Sequence, residues 1–216
     1  MSIENNLQKL KREIPPNVTL VAVSKTKTPE EILEACRAGQ RIFGENRVQE
    51  LLQNYGTLPQ DIEWHLIGHL QSNKVRFVVP FVKLIHSVDS LKLLNEINKE
   101  AEKINRVVDC LIEIRIAKEE TKHGMDYEKA EELFQIKDKL KNVAIKGLMG
   151  IATNTNDENV IRKEFRSLHD FYDRLNSGIA KGTLSILSMG MSNDFKLAIE
   201  EGSNMIRVGS LIFGSR

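Results

Sequence analysis

One unit recurs along this chain and restricts its fold more than any single motif. An apolar run of four to eight residues is followed by a turn and then by a segment of helical periodicity. The runs occupy 18–24, 41–44, 63–68, 83–87, 107–114, 143–150, 183–188 and 204–208, with the clearest helical patterns at 90–103, 127–140, 158–175 and 193–200. Strands alternating with helices imply parallel pairing through crossover connections. Eight such units predict an α/β protein built as a closed (β/α)8 barrel; an open doubly wound sheet is the alternative that periodicity leaves standing. An opening amphipathic segment carrying Ile3, Leu7 and Leu10 adds an extra N-terminal helix. At 216 residues the chain is short for a barrel, so one domain over 1–216 is expected. Local signals agree. Thr28 and Pro29 read as N-cap and first helical residue, Asp89 or Ser90 and Asp126 as further N-caps, and Gly39 and Gly202 as C-caps.

Composition matters mainly for what it excludes. A net charge of +1 gives no electrostatic case for nucleic acid or a membrane surface. No apolar run approaches a membrane span, and the polar first residues lack a signal-peptide pattern. The two cysteines, Cys36 and Cys110, carry no metal-ligand spacing, so a reduced, cytoplasmic setting is expected. The loosest segments should be 54–61, 117–125 and 154–159, which are rich in turn-forming or charged residues.

In a barrel, chemistry sits where strands end. The first run ends at Lys25, which shares by alternation the face of Val21 and Val23. A lysine on a buried face loses hydration, its pKa falls and its amine becomes nucleophilic toward carbonyls, unless it merely snorkels. The second strand end offers Glu45, Asn46 and Arg47; the third His65 and His69; the fifth Glu113, Arg115 and then Lys122; the sixth Met149 and Thr153. After the seventh, Ser188, Met189, Gly190, Met191 and Ser192 form a small-residue turn running into a helix, a geometry suited to an anion. After the eighth come Gly209 and Ser210, with Arg207 facing inward beside Met205. An inward arginine needs a partner, and Glu113 is a candidate. The spacing of His65 and His69 invites zinc, but a strand does not place both on one face, and further ligands are missing. His65 reads as a core histidine and His69 as a ligand contact at the mouth. A lysine, a phosphate cradle and an arginine around one mouth point to a phosphorylated aldehyde: pyridoxal 5′-phosphate, or the substrate of a class I aldolase.

These same blocks, Val21 to Thr26, Phe43 to Glu50, Trp64 to Lys74, Gly147 to Met149, Leu187 to Ser192 and Ile206 to Ser210, resemble in order the pyridoxal-phosphate homeostasis protein family. That family is similar to the N-terminal barrel of alanine racemase without its second domain. The resemblance implies that Lys25 carries the cofactor as an internal aldimine, that Ser188, Met189, Gly190, Ser192, Gly209 and Ser210 surround the phosphate, and that Arg207 lies by the pyridine nitrogen. Asn46, His69 and Met149 complete the expected cofactor-binding set, with no catalytic and no metal-ligating residue. It further implies a monomer that buffers or delivers the cofactor through transient contact with apo-enzymes. The alternatives are a small racemase or lyase with Lys25 as base, and a barrel serving protein interaction alone. An always-charged arginine at the ring nitrogen disfavours the proton that carbanion chemistry needs there. Two departures stand out: Ser210 replaces a common threonine, and residues 150–153 replace a proline-containing segment.

Overall fold

The computed structural model describes residues 2–119 and 123–214. Among them, eight parallel strands close into a barrel in chain order: β1 (Thr19–Val23), β2 (Ile42–Glu45), β3 (Glu63–Leu66), β4 (Leu84–Val88), β5 (Val108–Ile114), β6 (Val143–Gly150), β7 (Ile186–Ser188) and β8 (Met205–Val208). Closure is direct, because β1 pairs with β8 through Leu20 with Ile206, Val21 with Arg207 and Ala22 with Val208. This decides against the open sheet. β1, β3, β5, β7 and β8 are shorter than their apolar runs, β7 most of all. Residues 183–185 of the predicted run are spent on a turn, where Asn176 and Tyr172 claim the backbone of Leu184.

The helices are α1 (Ile3–Glu13), α2 (Pro29–Arg37), α3 (Val48–Thr57), α4 (Val75–Val78), α5 (Leu91–Glu102), α6 (Tyr127–Ile136), α7 (Glu158–Ser177), α8 (Phe195–Glu200) and α9 (Ser210–Phe213). Thr28 caps α2 in a reciprocal box with Glu31, and Ser90, rather than Asp89, caps α5. Asp126 stands at the N-cap of α6, but its carboxylate serves Arg115 and Lys129 instead. Helix α8 begins at Phe195, not 193, because the Asp194 carboxylate accepts the Met191 N–H at 2.6 Å and closes a turn first. Gly39 and Gly202 end α2 and α8 at φ of 81° and 96°. The segment 54–61 is not loose over its first half: α3 runs to Thr57, because Asn54 is buried and donates to Glu45. Part of 117–125 lies outside the described residues, as does Lys122.

Two apolar layers hold the molecule. The larger lies between sheet and helices; the smaller fills the barrel interior with Val21, Leu84, Leu111, Met149 and Met205. The extra N-terminal helix α1 docks Ile3, Leu7 and Leu10 beside α2 and α9, and Asn6 donates to the Ile212 carbonyl. Burial of Leu7 alone contributes about 2 kcal/mol. Among the described residues, no helix is long and apolar enough to cross a membrane.

The contact between β6 and β7 depends on a missing side chain. A Cβ at Gly147 would lie 1.7 Å from the Ile186 carbonyl oxygen. Gly147→Ala should therefore cost about 3 kcal/mol or more in denaturant unfolding. Gly56→Ala, in the last turn of α3 with open space around it, should stabilise by about 0.5 kcal/mol.

Candidate functional site

The C-terminal strand ends bring the predicted residues to one mouth. Lys25 follows β1 by two residues, in a turn where Thr26 adopts φ 64°. Its side chain is exposed, which corrects the expected desolvation: the turn carries it out beyond the buried face of Val21. Its strand neighbours β8, and Gly209 lies against Val23, where an added Cβ would sit 3.1 Å from the Val23 carbonyl oxygen. Lys25 therefore emerges beside the loop after β8.

Arg207 does point inward, and it is 3% exposed. Nη1 donates to the Ser188 carbonyl at 2.9 Å and to Ser188 Oγ at 2.6 Å, and Nη2 donates to the Gly150 carbonyl at 3.0 Å. Burial pushes its pKa down to about 10, against the pull of Glu113 and Asp194, so it stays charged at neutral pH. Glu113 supplies a field rather than a contact. Its own carboxyl is pushed up to about 7 by burial and by Asp89, with Arg207 opposing.

Behind Ser188 lies a buried polar chain. Ser188 Oγ is 3.3 Å from His86 Nδ1, and His86 Nε2 is 3.0 Å from His65 Nδ1. One direction satisfies every group: Arg207 donates to Ser188, Ser188 to His86, and His86 to His65. Burial drives both imidazoles neutral, His65 down to about 3 with help from Lys83, and His86 well below the usual range with help from His65 and Arg207. His65 is thus the satisfied core histidine that its strand position suggested. His86 went unnoticed, although its alternation with Leu84 puts it on the interior face.

The loops after β7 and β8 lie side by side. Arg207 N–H donates to the Gly190 carbonyl at 3.0 Å, and Gly209 N–H donates to Ser192 Oγ at 3.3 Å. Gly190 has φ 92°, and a Cβ there would meet Ala198 at 2.6 Å, so only glycine makes this turn. Met149, Ser188 and Met189 are buried, whereas Ser192 is half-buried and Ser210 exposed. A cleft of about 1450 Å³ lined by Met191, Ser192, Asn193, Ser210 and Thr153 runs from these loops toward α1 and α7. It reaches only this side of the mouth; the strand ends, not the cleft, mark the centre of the chemistry. The unusual 150–153 segment is fixed by Glu164 of α7, which accepts from the Thr153 N–H and Oγ1 at 2.7 Å each.

Across the mouth, the Asn46 backbone packs on Gly68, whose carbonyl accepts from Ser87 at 2.6 Å. His69 and His123 both turn Nδ1 toward Asp89 Oδ2, at 3.1 and 3.9 Å, and their donor atoms lie within 4.8 Å of one another. The rings stack at 4.3 Å and 13°, so their lone pairs run parallel instead of converging on one ion. The set reads as two imidazoles sharing one carboxylate. Asp89 follows β4 directly and was legible only as a cap; no periodic signal marked His123.

Known proteins share this fold. A family model described as alanine racemase, N-terminal domain, matches residues 1–216. A pyridoxal phosphate homeostasis protein of Aquifex aeolicus is 46% identical over 198 residues, covering 91% of this chain and 86% of that protein. One from Helicobacter pylori is 41% identical over 199 residues, covering 91% and 87%. The solved structure of PipY from Synechococcus elongatus with PLP bound is 38% identical with a TM-score of 0.91; the structure without PLP is 37% identical with a TM-score of 0.95. Both cover 99% of this chain and 100% of PipY. An alanine racemase of Clostridium difficile, 15% identical with a TM-score of 0.79, shares the fold over 57% of its length. By barrel and sequence, this chain belongs to the pyridoxal phosphate homeostasis proteins within the alanine racemase N-terminal domain family.

Proposed function

We propose that this protein binds pyridoxal 5′-phosphate at the barrel mouth through Lys25 and acts as a store and donor of the cofactor rather than an enzyme. The observation that carries this reading is the adjacency of the Lys25 turn to the two hydrogen-bonded small-residue loops. The donor set fits the cofactor: a primary amine for its aldehyde, and two small turns with accessible hydroxyls for its phosphate. When bound, the cofactor supplies an electrophilic aldehyde and an electron-accepting ring.

The residues divide the work. Ser192 and Ser210 offer hydroxyls toward the phosphate, while Gly190 and Gly209 let the backbone turn closely. Ser188, with its hydroxyl buried against Arg207, aims the guanidinium. Arg207 keeps positive charge at the ring side of the site and opposes a proton there. Met149 floors the site, and Asn46 and His69 bound it opposite. An exposed Lys25 suits a cofactor that must also leave, toward apo-enzymes that lack it. Relatives named as homeostasis proteins support this over turnover. One observation favours a second reading, a weak amino-acid racemase or lyase. The Glu113 carboxyl, pushed up to about 7, can hold or release a proton at the mouth.

Purified protein supplied with the cofactor should absorb in the visible range. Borohydride should then leave the cofactor's mass on the peptide containing Lys25, and Lys25→Ala should abolish both. A protein that stays colourless, or label on another lysine, contradicts the proposal. Amino acids offered in deuterium oxide should gain no Cα deuterium at enzymatic rates, about one per second or faster; exchange that fast would favour the racemase reading.

Ser210→Asp places a carboxylate at the proposed phosphate side. It should weaken pyridoxal 5′-phosphate at least about tenfold more than unphosphorylated pyridoxal in equilibrium titrations, since only the former brings charge to repel. Equal losses would remove the phosphate from these loops.

A further inference from the structure

The residues on both sides of Lys25 are held by carboxyl groups. Ser24 Oγ donates to Glu45 Oε1 at 2.6 Å, and the Thr26 N–H donates to Glu50 Oε2 at 3.2 Å. Thr26 sits at φ 64°, a conformation that a β-branched residue keeps only when its surroundings impose it. Glu45 ends β2 fully buried beneath this turn. Its Oε1 also accepts from Asn54 Nδ2 of α3 at 3.0 Å, but its Oε2 has no hydrogen-bond partner among the described residues.

The group facing Glu45 from α3 is another acid, Glu50, close enough for a side-chain hydrogen bond if one of the two carries a proton. A cation beside the pair is Arg47 at the N-cap of α3. Its Nη1 lies 3.5 Å from Glu50 Oε1, but its side chain is 74% exposed and well screened. Among the described residues, the hydrogen bonds from the β1 side come from the Ser24 hydroxyl and the Thr26 amide. A buried carboxylate facing a second carboxylate, with no buried cation beside it, takes up a proton.

We propose that Glu45 holds a proton against the Glu50 carboxylate and that, in that state, the two act as positioning residues that pin Ser24 and Thr26 on either side of Lys25, and that losing the proton loosens the turn. With the proton on Glu45 Oε2, that orphaned atom becomes a donor to Glu50, and Glu50 stays in place to hold Thr26. Without it, two like charges face each other, and the partly exposed Glu50 swings toward water and releases Thr26. Burial, and secondarily the Glu50 charge, push Glu45 up to about 7, while the bonds from Ser24 and Asn54 pull the other way. The clamp is therefore closed on the acid side of neutrality and opens as pH rises through it. As a control on cofactor retention, this inference rests on the function proposed above.

The experiment is amide hydrogen exchange at Thr26 in the full-length protein without added cofactor, corrected for the intrinsic pH dependence of exchange. Glu45→Gln copies the protonated acid, its Oε1 accepting from Ser24 and its Nε2 donating to Glu50. In the parent, Thr26 protection should fall about tenfold between about pH 6 and pH 8. In E45Q it should stay high throughout, and in Glu45→Ala low throughout. The ¹³C shift of the Glu45 carboxyl in the parent should titrate over the same range, a readout that needs no variant to fold. Flat parent protection, or the same pH midpoint in E45Q, overturns the proposal. Cofactor release followed by absorbance should quicken above neutrality in the parent and not in E45Q. If Thr26 behaves as stated while no form binds cofactor, the clamp stands and the proposed function falls; flat protection with cofactor bound gives the reverse.

Discussion

A guanidinium inside a barrel sets the terms for everything around it. An unpaired buried charge would cost more than a domain can spare, so Arg207 has to be surrounded by acceptors. Ser188 supplies two and Gly150 a third. Those bonds fix the ends of β6, β7 and β8 relative to one another, where β7 is too short to do so by pairing alone. Burial keeps His86 and His65 neutral, and for His86 the Arg207 charge adds to it. Around this guanidinium the interior is apolar, with Val21 in register with Arg207, Met149 in register with Ser188, and Leu84, Leu111 and Met205 completing the cluster. The barrel thus has an apolar interior holding a buried cation, with Lys25 and Ser210 exposed and Ser192 half-buried at the strand-end loops. A fixed charge inside and an exposed amine outside are consistent with the proposed store and donor of the cofactor.

How much of this was readable depended on the kind of signal. Arg207 and Met205 obey strict alternation, so their inward direction followed from period two. Lys25 was located at its strand end, but alternation stops where the strand stops, and the left-handed Thr26 turns the lysine outward. Ser188 looked like the first residue of a loop. Its burial came from Arg207, a partner 19 residues later that no local pattern reveals. Asn54 looked like loop because turn-prone residues follow it, and a buried bond to Glu45 overrode that preference. Glu45 itself was named at its strand end without a role; the acid that faces it, Glu50, lies in the first turn of α3. His123 reaches Asp89 from a segment with no periodicity at all. The ligand was a different matter: lysine, small loops and arginine pointed to a phosphorylated aldehyde, and the ordered sequence blocks narrowed that to one cofactor.

The central claim is that one molecule of pyridoxal 5′-phosphate spans this mouth from Lys25 to the loops after β7 and β8. A crystal structure of the protein grown with the cofactor tests it most directly. The account predicts density continuous with Lys25 Nζ, the phosphate between residues 190–192 and 209–210, and the ring beside Arg207. Cofactor density seated only in the cleft toward α1 and α7, or joined to any other lysine, would contradict it.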